Sequence, residues 1–286
     1  MAPAGVALRR KMTALTRLAE IERSIHKKFR KSIWRPFVAG VKRYELVQEG
    51  DRIAVCISGG KDSFLLAKLM QELRRHSYCP FELRFVAMDP GYGEADLSAI
   101  RANAELLEVP VAIFGTDIFS AVRDAGRSPC YLCARMRRGH LYSQARQLGC
   151  NKIALGHHMS DVVETTLMGM LFGSQHQIMM PKLRSKNFAP LELVRPMYCV
   201  AEDAIVAWAG HNGLRFAGCC CPLKESLESE PGGSKRQEVK ELLRQLKRQG
   251  NKKVEKSVFN SLHMLNLGTA IGYRKDGVEH SFLEWY

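Results

Sequence analysis

The sequence predicts an α/β fold, a doubly wound parallel sheet with basic helical extensions at both ends. Three observations predict it. Apolar runs of strand length alternate with amphipathic segments of helical length, a glycine turn joins the first run directly to the first helix, and the excess positive charge collects at the two ends of the chain, outside the alternating core. At 286 residues the chain is long enough for one large core with appendages or for two modest domains.

Taken in order, residues 1–50 read as a basic helical segment, with twelve Lys and Arg against four Glu. Residues 52–57 (Arg-Ile-Ala-Val-Cys-Ile) are the first strand, a continuous apolar run of the kind a sheet covered on both faces requires. Helical patterns follow at 61–75, 94–107, 132–148 and 160–172, separated by strand-like runs at 83–88, 109–114 and 152–156. Parallel strands linked by helices bring their carboxyl ends to one edge of the sheet. Gly59-Gly60, Asp89 and Gly156-His157-His158 are therefore expected to converge on one crevice. The stretch 173–187 reads as a long irregular connection, and 226–234, with Pro231-Gly232-Gly233, as a loop or linker. Three domains are expected: 1–50, the basic helical segment; 51–200, a nucleotide-binding domain; and 201–286, a C-terminal segment carrying a second basic helix.

The nucleotide assignment rests on Ser58-Gly59-Gly60-Lys61-Asp62-Ser63, placed between the first strand and the first helix. Two glycines let the backbone approach an anion, the first amides of the helix lack internal partners, and Lys61 with two hydroxyls adds donors. The spacing is not that of a Walker A loop, since the glycines are adjacent and the lysine is followed by aspartate. Asp62 beside a phosphate site invites Mg²⁺, which takes oxygen ligands and bridges phosphates. The plain alternative is a serine-capped glycine turn.

Charge bounds the partners. Lys and Arg number 43 against 29 Asp and Glu, for a net +14, and a second cluster runs from Lys235-Arg236 to Lys256. Basic helical faces flanking a phosphate-binding core suit a polyanion such as a nucleic acid, although charge runs are commonly solvated helix faces. No apolar stretch reaches the length of a membrane span, and the N-terminus lacks the apolar segment of a secretory signal, so the expected location is the cytosol.

Nine cysteines, an odd number, are unusual as a disulfide framework. Cys130 and Cys133 have the two-residue spacing that lets two thiolates reach one metal, and they open a helix whose first amides favour the thiolate. Further ligands would come from Cys219-Cys220-Cys221-Pro222; in an extended segment Cys219 and Cys221 point to one side and Cys220 to the other. A zinc site, a dithiol redox pair and an iron-sulfur cluster all remain open on spacing alone. Cys56, Cys79, Cys150 and Cys199 read as small buried hydrophobes.

A further cluster, Gly156-His157-His158-Met159-Ser160-Asp161, ends a strand and starts a helix, with Ser160 or Asp161 as the expected cap. Gly156, His157 and Asp161 face the expected crevice and are candidates for nucleotide or metal contact. Asp89, before Pro90-Gly91-Tyr92, is either a substrate or metal contact or a turn-forming aspartate.

Together SGGKDS, CYLCARMRRGHLY, GHHMSDVVET, the downstream cysteine-proline cluster and SKRQEVKELL resemble the TtcA family of ATP-dependent tRNA 2-thiocytidine synthetases, over roughly residues 45–250. The resemblance implies a PP-loop enzyme of the adenine-nucleotide α-hydrolase type, commonly a dimer. It implies thiolation of cytidine 32 in the tRNA anticodon loop, with ATP, Mg²⁺ and a 4Fe-4S cluster held by three cysteines, and a sulfur donor that is a cysteine desulfurase or sulfide. Residue by residue, it implies that Ser58, Gly59, Gly60, Lys61, Asp62 and Ser63 bind ATP. Cys130 and Cys133 would be the first two cluster ligands, and Cys221 the third, with Cys219 next. The better-known members carry two cysteines separated by two residues at the position of this triplet, so the chain departs from their pattern there. Arg137 and Arg138 would meet phosphate or the charge developing on the activated base. A related thiolase acting on uridine, or a zinc-stabilised nucleotide- and RNA-binding module without turnover, are the competing readings. Residues 259–286 match nothing in this pattern.

Overall fold

The computed structural model describes residues 4–77, 79–123, 129–216 and 234–286. These form two compact units, one from the described residues of Met1–Asp161 and Met179–Gly233, the other from Val162–Ile178 and Ser234–Tyr286. The first unit is built on a six-stranded sheet. Its strands are β1 (Arg52–Ile57), β2 (Glu82–Asp89), β3 (Val111–Gly115), β4 (Lys152–Ala154), β5 (Lys182–Arg184) and β6 (Glu192–Val194), in the spatial order β3-β2-β1-β4-β6-β5. All neighbours are parallel except β5, which lies antiparallel on β6 at the edge. The chain moves outward from β1 through β2 to β3, then returns to place β4 on the other side of β1. That reversal makes a switch point, where the loops after β1 and β4 diverge and leave a crevice at the strand carboxyl ends.

Both faces of the sheet are covered, which is why its strands read as unbroken apolar runs. In β1, Ile53, Val55 and Ile57 enter the larger core with Phe64, Leu65 and Leu69 of the helix Lys61–His76. Ala54 and Cys56 point the other way, to Tyr142 and Ala145 of the helix Pro129–Gln147. The same alternation sends Leu83, Phe85 and Ala87 of β2 to one side and Val86 to the other. Glu94–Leu106 and Glu202–His211 complete the larger core with Ile100 and with Ile205 and Trp208.

The N-terminal segment contributes more than charge. Its helix Ala4–His26 continues through a π-helical turn, Arg30–Trp34, into Arg35–Arg43. Ile21, Ile25, Phe29, Ile33, Phe37 and Val41 recur every four residues along it, and all six are buried in the core that also covers β1. Its basic side chains lie on the opposite side: Arg17, Arg23, Lys27, Lys28, Arg30, Lys31, Arg35, Lys42 and Arg43 are all exposed.

Strand and helix boundaries agree with the sequence-based expectation to within about three residues wherever the periodicity was long. The exception is 173–187, expected to be irregular throughout, which holds the edge strand β5. Three residues are too few to leave a periodic signal. The strand exists because β6 offers it a ladder, and Lys182 and Arg184 on it are charges of the kind that blunt an exposed edge.

In the second unit, the helix Lys235–Arg248 buries Val239 and Leu243, and Val254–Ser261 buries Val254 and Phe259. Buried Glu164, on the helix Met159–Gly173, pairs with Arg236 at 3.4 Å and Lys240 at 3.6 Å. Lys247 pairs with Glu255 at 2.9 Å, so much of the basic face of Lys235–Arg248 is engaged within the unit. The last segment forms a hairpin, Gly272–Lys275 with Val278–Ser281, on which Tyr273 stacks against His280. Among the described residues no helix is long and apolar enough to cross a membrane.

Candidate active site

The loop after β1 turns at Gly59, whose φ of 88° lies in the left-handed region that favours glycine. Gly60 then caps the helix Lys61–His76. Ser63 Oγ donates to the Gly60 carbonyl at 2.9 Å, and Ser58 Oγ lies 3.3 Å from Ser63 Oγ, so both hydroxyls gather at the helix start, where the backbone amides have no intrahelical acceptor. The loop after β4 lies directly against this turn. A Cβ on Gly156 would stand 3.2 Å from Asp62 C and Ser63 N, so glycine is what lets the two backbones approach.

The helix after β4 is capped by a residue the sequence does not advertise. Ser160 and Asp161 were the expected caps, but the helix begins at Met159 and His158 takes the cap position. Its amide donates to Asp161 Oδ2 at 3.0 Å, and the Asp161 amide donates back to His158 Nδ1 at 3.4 Å, a reciprocal capping box with histidine in place of serine. With Nδ1 accepting, the proton of neutral His158 resides on Nε2, which lies 3.7 Å from Asp62 Oδ1. That carboxylate oxygen is buried and has no hydrogen-bond partner, whereas Asp62 Oδ2 pairs with Lys61 at 3.1 Å.

Lys61 also reaches Glu202, at the start of Glu202–His211, at 3.0 Å. Burial pulls its amine down, but Asp62 and Glu202 together outweigh this and hold it above its ordinary range. Lys61 therefore keeps its positive charge at neutral pH.

These elements surround an open crevice of about 300 Å³ at the switch point. Ser58, Asp62, Ser63, Gly156, His157 and Asp161 form its polar end. Ile57, Met88, Leu141 and Leu155 supply apolar wall, together with Cys56, whose thiol burial pushes up to about 12 and keeps protonated. Arg137 completes the lining and donates to the Tyr92 hydroxyl at 2.8 Å.

Of the residues expected from sequence, seven thus line one crevice: Ser58, Asp62, Ser63, Arg137, Gly156, His157 and Asp161. Gly59, Gly60 and Lys61 shape the loop beneath it without lining it. Asp89, expected as a possible substrate contact, serves a turn: its Oδ1 accepts from the amides of Gly91 at 2.9 Å and Tyr92 at 2.6 Å. Arg138 is exposed one residue beyond Arg137 and is not in the lining. Cys133 lies one helical turn before Arg137 and packs against the small cluster of Met88 and Ile118. Cys130 is placed by its backbone only, and Cys219 and Cys221 lie outside the described residues. Sequence reading missed Tyr92, Leu141, Glu202 and the capping role of His158. Of these only Leu141 left a local trace, four residues after Arg137 and on the same helix face.

A PP-loop domain family matches residues 18–218 of the chain. The tRNA-cytidine(32) 2-sulfurtransferase of Geobacter metallireducens is 36% identical over 225 residues, covering 78% of this chain and 85% of that protein. The chain belongs to the tRNA-cytidine(32) 2-sulfurtransferase family of PP-loop proteins. Another member, from Variovorax paradoxus, is 33% identical over 276 residues and covers 94% of this chain and 84% of that protein. Among solved structures, the U34-tRNA thiolase NcsA from Methanococcus maripaludis with its [4Fe-4S] cluster is similar in fold, with a TM-score of 0.61 at 19% identity, covering 81% of this chain and 79% of that one. The doubly wound PP-loop architecture and membership of a sulfurtransferase family follow.

Proposed function

We propose that this protein is an ATP-dependent tRNA thiolase that replaces the C2 oxygen of cytidine 32 by sulfur. The observation that carries the reading is the two-ended crevice at the switch point, whose arginine lies on the same helix face as Cys133. Its polar end suits a triphosphate: helix-terminal amides, two hydroxyls and a glycine contact that leaves no room for a side chain. Its apolar wall of Met88, Leu141 and Leu155 suits a purine base.

Asp62 Oδ1, buried and without a hydrogen-bond partner, is the kind of oxygen Mg²⁺ takes alongside phosphate oxygens and waters. Asp161, held by the His158 cap, is a second oxygen at the same end. Lys61, fixed between Asp62 and Glu202, orients the Asp62 carboxylate.

In the reaction we infer, the C2 oxygen of the cytosine attacks the α-phosphorus and pyrophosphate leaves. A sulfide-level sulfur then attacks C2, and AMP departs carrying the original oxygen. The base changes no oxidation state. Arg137, anchored by Tyr92, neutralises the negative charge that builds between the α-phosphate and the base. A 4Fe-4S cluster on Cys130, Cys133 and Cys221 or Cys219 would supply the sulfur at an iron without a protein ligand; thiolate donors suit such a cluster. Arg138 and the exposed arginines and lysines of residues 17–43 would hold tRNA phosphates, and the target base must leave its stack to enter the crevice. The partners on this reading are tRNA and a sulfur donor, either a desulfurase or sulfide, in the cytosol, with the enzyme a homodimer.

The deciding experiment is nucleoside mass spectrometry of unmodified tRNA incubated anaerobically with cluster-loaded protein, ATP, Mg²⁺ and sulfide. 2-Thiocytidine that depends on ATP and is lost in Cys130→Ala supports the reading. A thiouridine moves the target to another base, and protein with an intact cluster that gives neither a thiolated nucleoside nor pyrophosphate favours the binding module.

A further inference from the structure

We propose that His26, Glu72 and His76 form a binding site for a divalent transition metal of the Zn²⁺ class, at the opposite end of the helix Lys61–His76 from the phosphate loop. The loop and this cluster are separated by ten or more residues of helix, on the order of 15 Å. Glu72 and His76, at i and i+4, share one helix face. His26 is the last residue of Ala4–His26. One ligand atom from each comes within 4.8 Å of the others, and Glu72 Oε2 faces the Nε2 atoms of both imidazoles.

The two distances lie on either side of those in a metal site. Glu72 Oε2 accepts from His26 Nε2 at 2.7 Å, while His76 Nε2 stands at 3.7 Å, outside hydrogen-bond range. In a tetrahedral site with bonds of 2.0–2.1 Å the ligand atoms are about 3.3–3.4 Å apart, between these two values. His76, with 61% of its side chain exposed, is free to close the gap, and solvent can take the fourth position. When a metal replaces the shared proton, the His26 ring carries its hydrogen on Nδ1 instead.

The surroundings orient the ligands. Arg75 donates to the other Glu72 oxygen, Oε1, at 2.5 Å, which leaves Oε2 facing the imidazoles. Trp34 meets the His26 ring edge-on at 4.6 Å. Glu22 offsets the nearby cations, pairing with Lys68 at 2.6 Å and Arg75 at 3.0 Å, so two carboxylates already balance two cations. A bound dication would tie the basic N-terminal helix to the helix that carries the phosphate loop.

The test is equilibrium dialysis of cluster-loaded, full-length protein against micromolar Zn²⁺, with metal analysis and melting temperature measured on the same samples. The wild type is expected to retain one Zn²⁺ per chain and to melt higher with it. His76→Ala and His76→Gln, at an exposed helix end, should fold normally and bind at least about tenfold more weakly. Fluorescence adds an independent readout: Co²⁺ should quench Trp34 in the wild type and not in His76→Ala, with Trp34→Phe identifying the tryptophan. Zn²⁺ retained equally by wild type and both variants belongs to the cysteines and overturns the proposal. So does a wild type that takes up none.

Discussion

Arg137 donates to the hydroxyl of Tyr92 at 2.8 Å, and the amide of Tyr92 donates in turn to Asp89 Oδ1 at 2.6 Å. Asp89 therefore reaches the crevice through a turn and a tyrosine, not through its own carboxylate. Tyr92→Phe removes the anchor and keeps the ring that packs against Phe119. The expected result is a fall in kcat/KM for thiolation of about tenfold, with stability changed by less than about 1.5 kcal/mol. Steady-state kinetics beside urea denaturation measures both, and an unchanged kcat/KM would deny Arg137 its role.

Gly156→Ala places a methyl 3.2 Å from backbone atoms of Asp62 and Ser63, which cannot move aside without shifting the first turn of the helix. Overpacking of this kind costs about 1–3 kcal/mol. Because the strain falls on the amides and hydroxyls of the polar end, calorimetric titration should show ATP binding weakened by about tenfold or more, with circular dichroism unchanged.

Phe37 is fully buried in the core that covers β1. Phe37→Ala should destabilise the first unit by about 3–5 kcal/mol in urea, comparable to deleting a central core aromatic. A chain lacking residues 1–50 should then fail to give a cooperative transition. A stable, ATP-binding truncation would show that the N-terminal stripe is dispensable.

The Lys61–Glu202 pair predicts a pH dependence of known sign. A raised amine pKa means the folded state binds the proton more tightly, so the stabilisation is fully present below the ordinary value of 10.5 and is lost as pH rises through the higher folded value. The stability difference between wild type and Glu202→Gln should be flat from neutral pH to about 10 and shrink above 10.5. Urea midpoints of both proteins across pH 7–11.5 would reveal it, and a difference that grows with pH would reverse the assignment.

Exposed Lys27, Arg30 and Lys31 lie on the solvent side of the N-terminal segment. If they hold tRNA phosphates, replacing all three with Gln should weaken tRNA binding and reduce the slope of log K against log salt by about 2–3, while ATP affinity stays constant. Filter binding over a salt series provides the slope.

The sequence by itself determined the strand-turn-helix at Ser58–Ser63, the alternation that makes the sheet parallel, and the identity of most polar groups in the crevice. Those features are local: strand burial on both faces imposes apolar runs, and the left-handed turn after β1 favours glycine at position 59. Tertiary structure alone decided that Asp89 serves a turn, that His158 rather than Ser160 or Asp161 caps its helix, that Glu202 holds Lys61 and that Tyr92 holds Arg137. The last two depend on partners brought close by the fold, Glu202 standing 141 residues from Lys61 and Tyr92 45 from Arg137, whereas Asp89 and His158 bond within three residues and the backbone path alone chose between their alternatives. The N-terminal segment shows the division most plainly. Its charges were conspicuous in composition, whereas its four-residue apolar stripe acquired meaning only when β1 and its neighbours supplied the core into which it is buried.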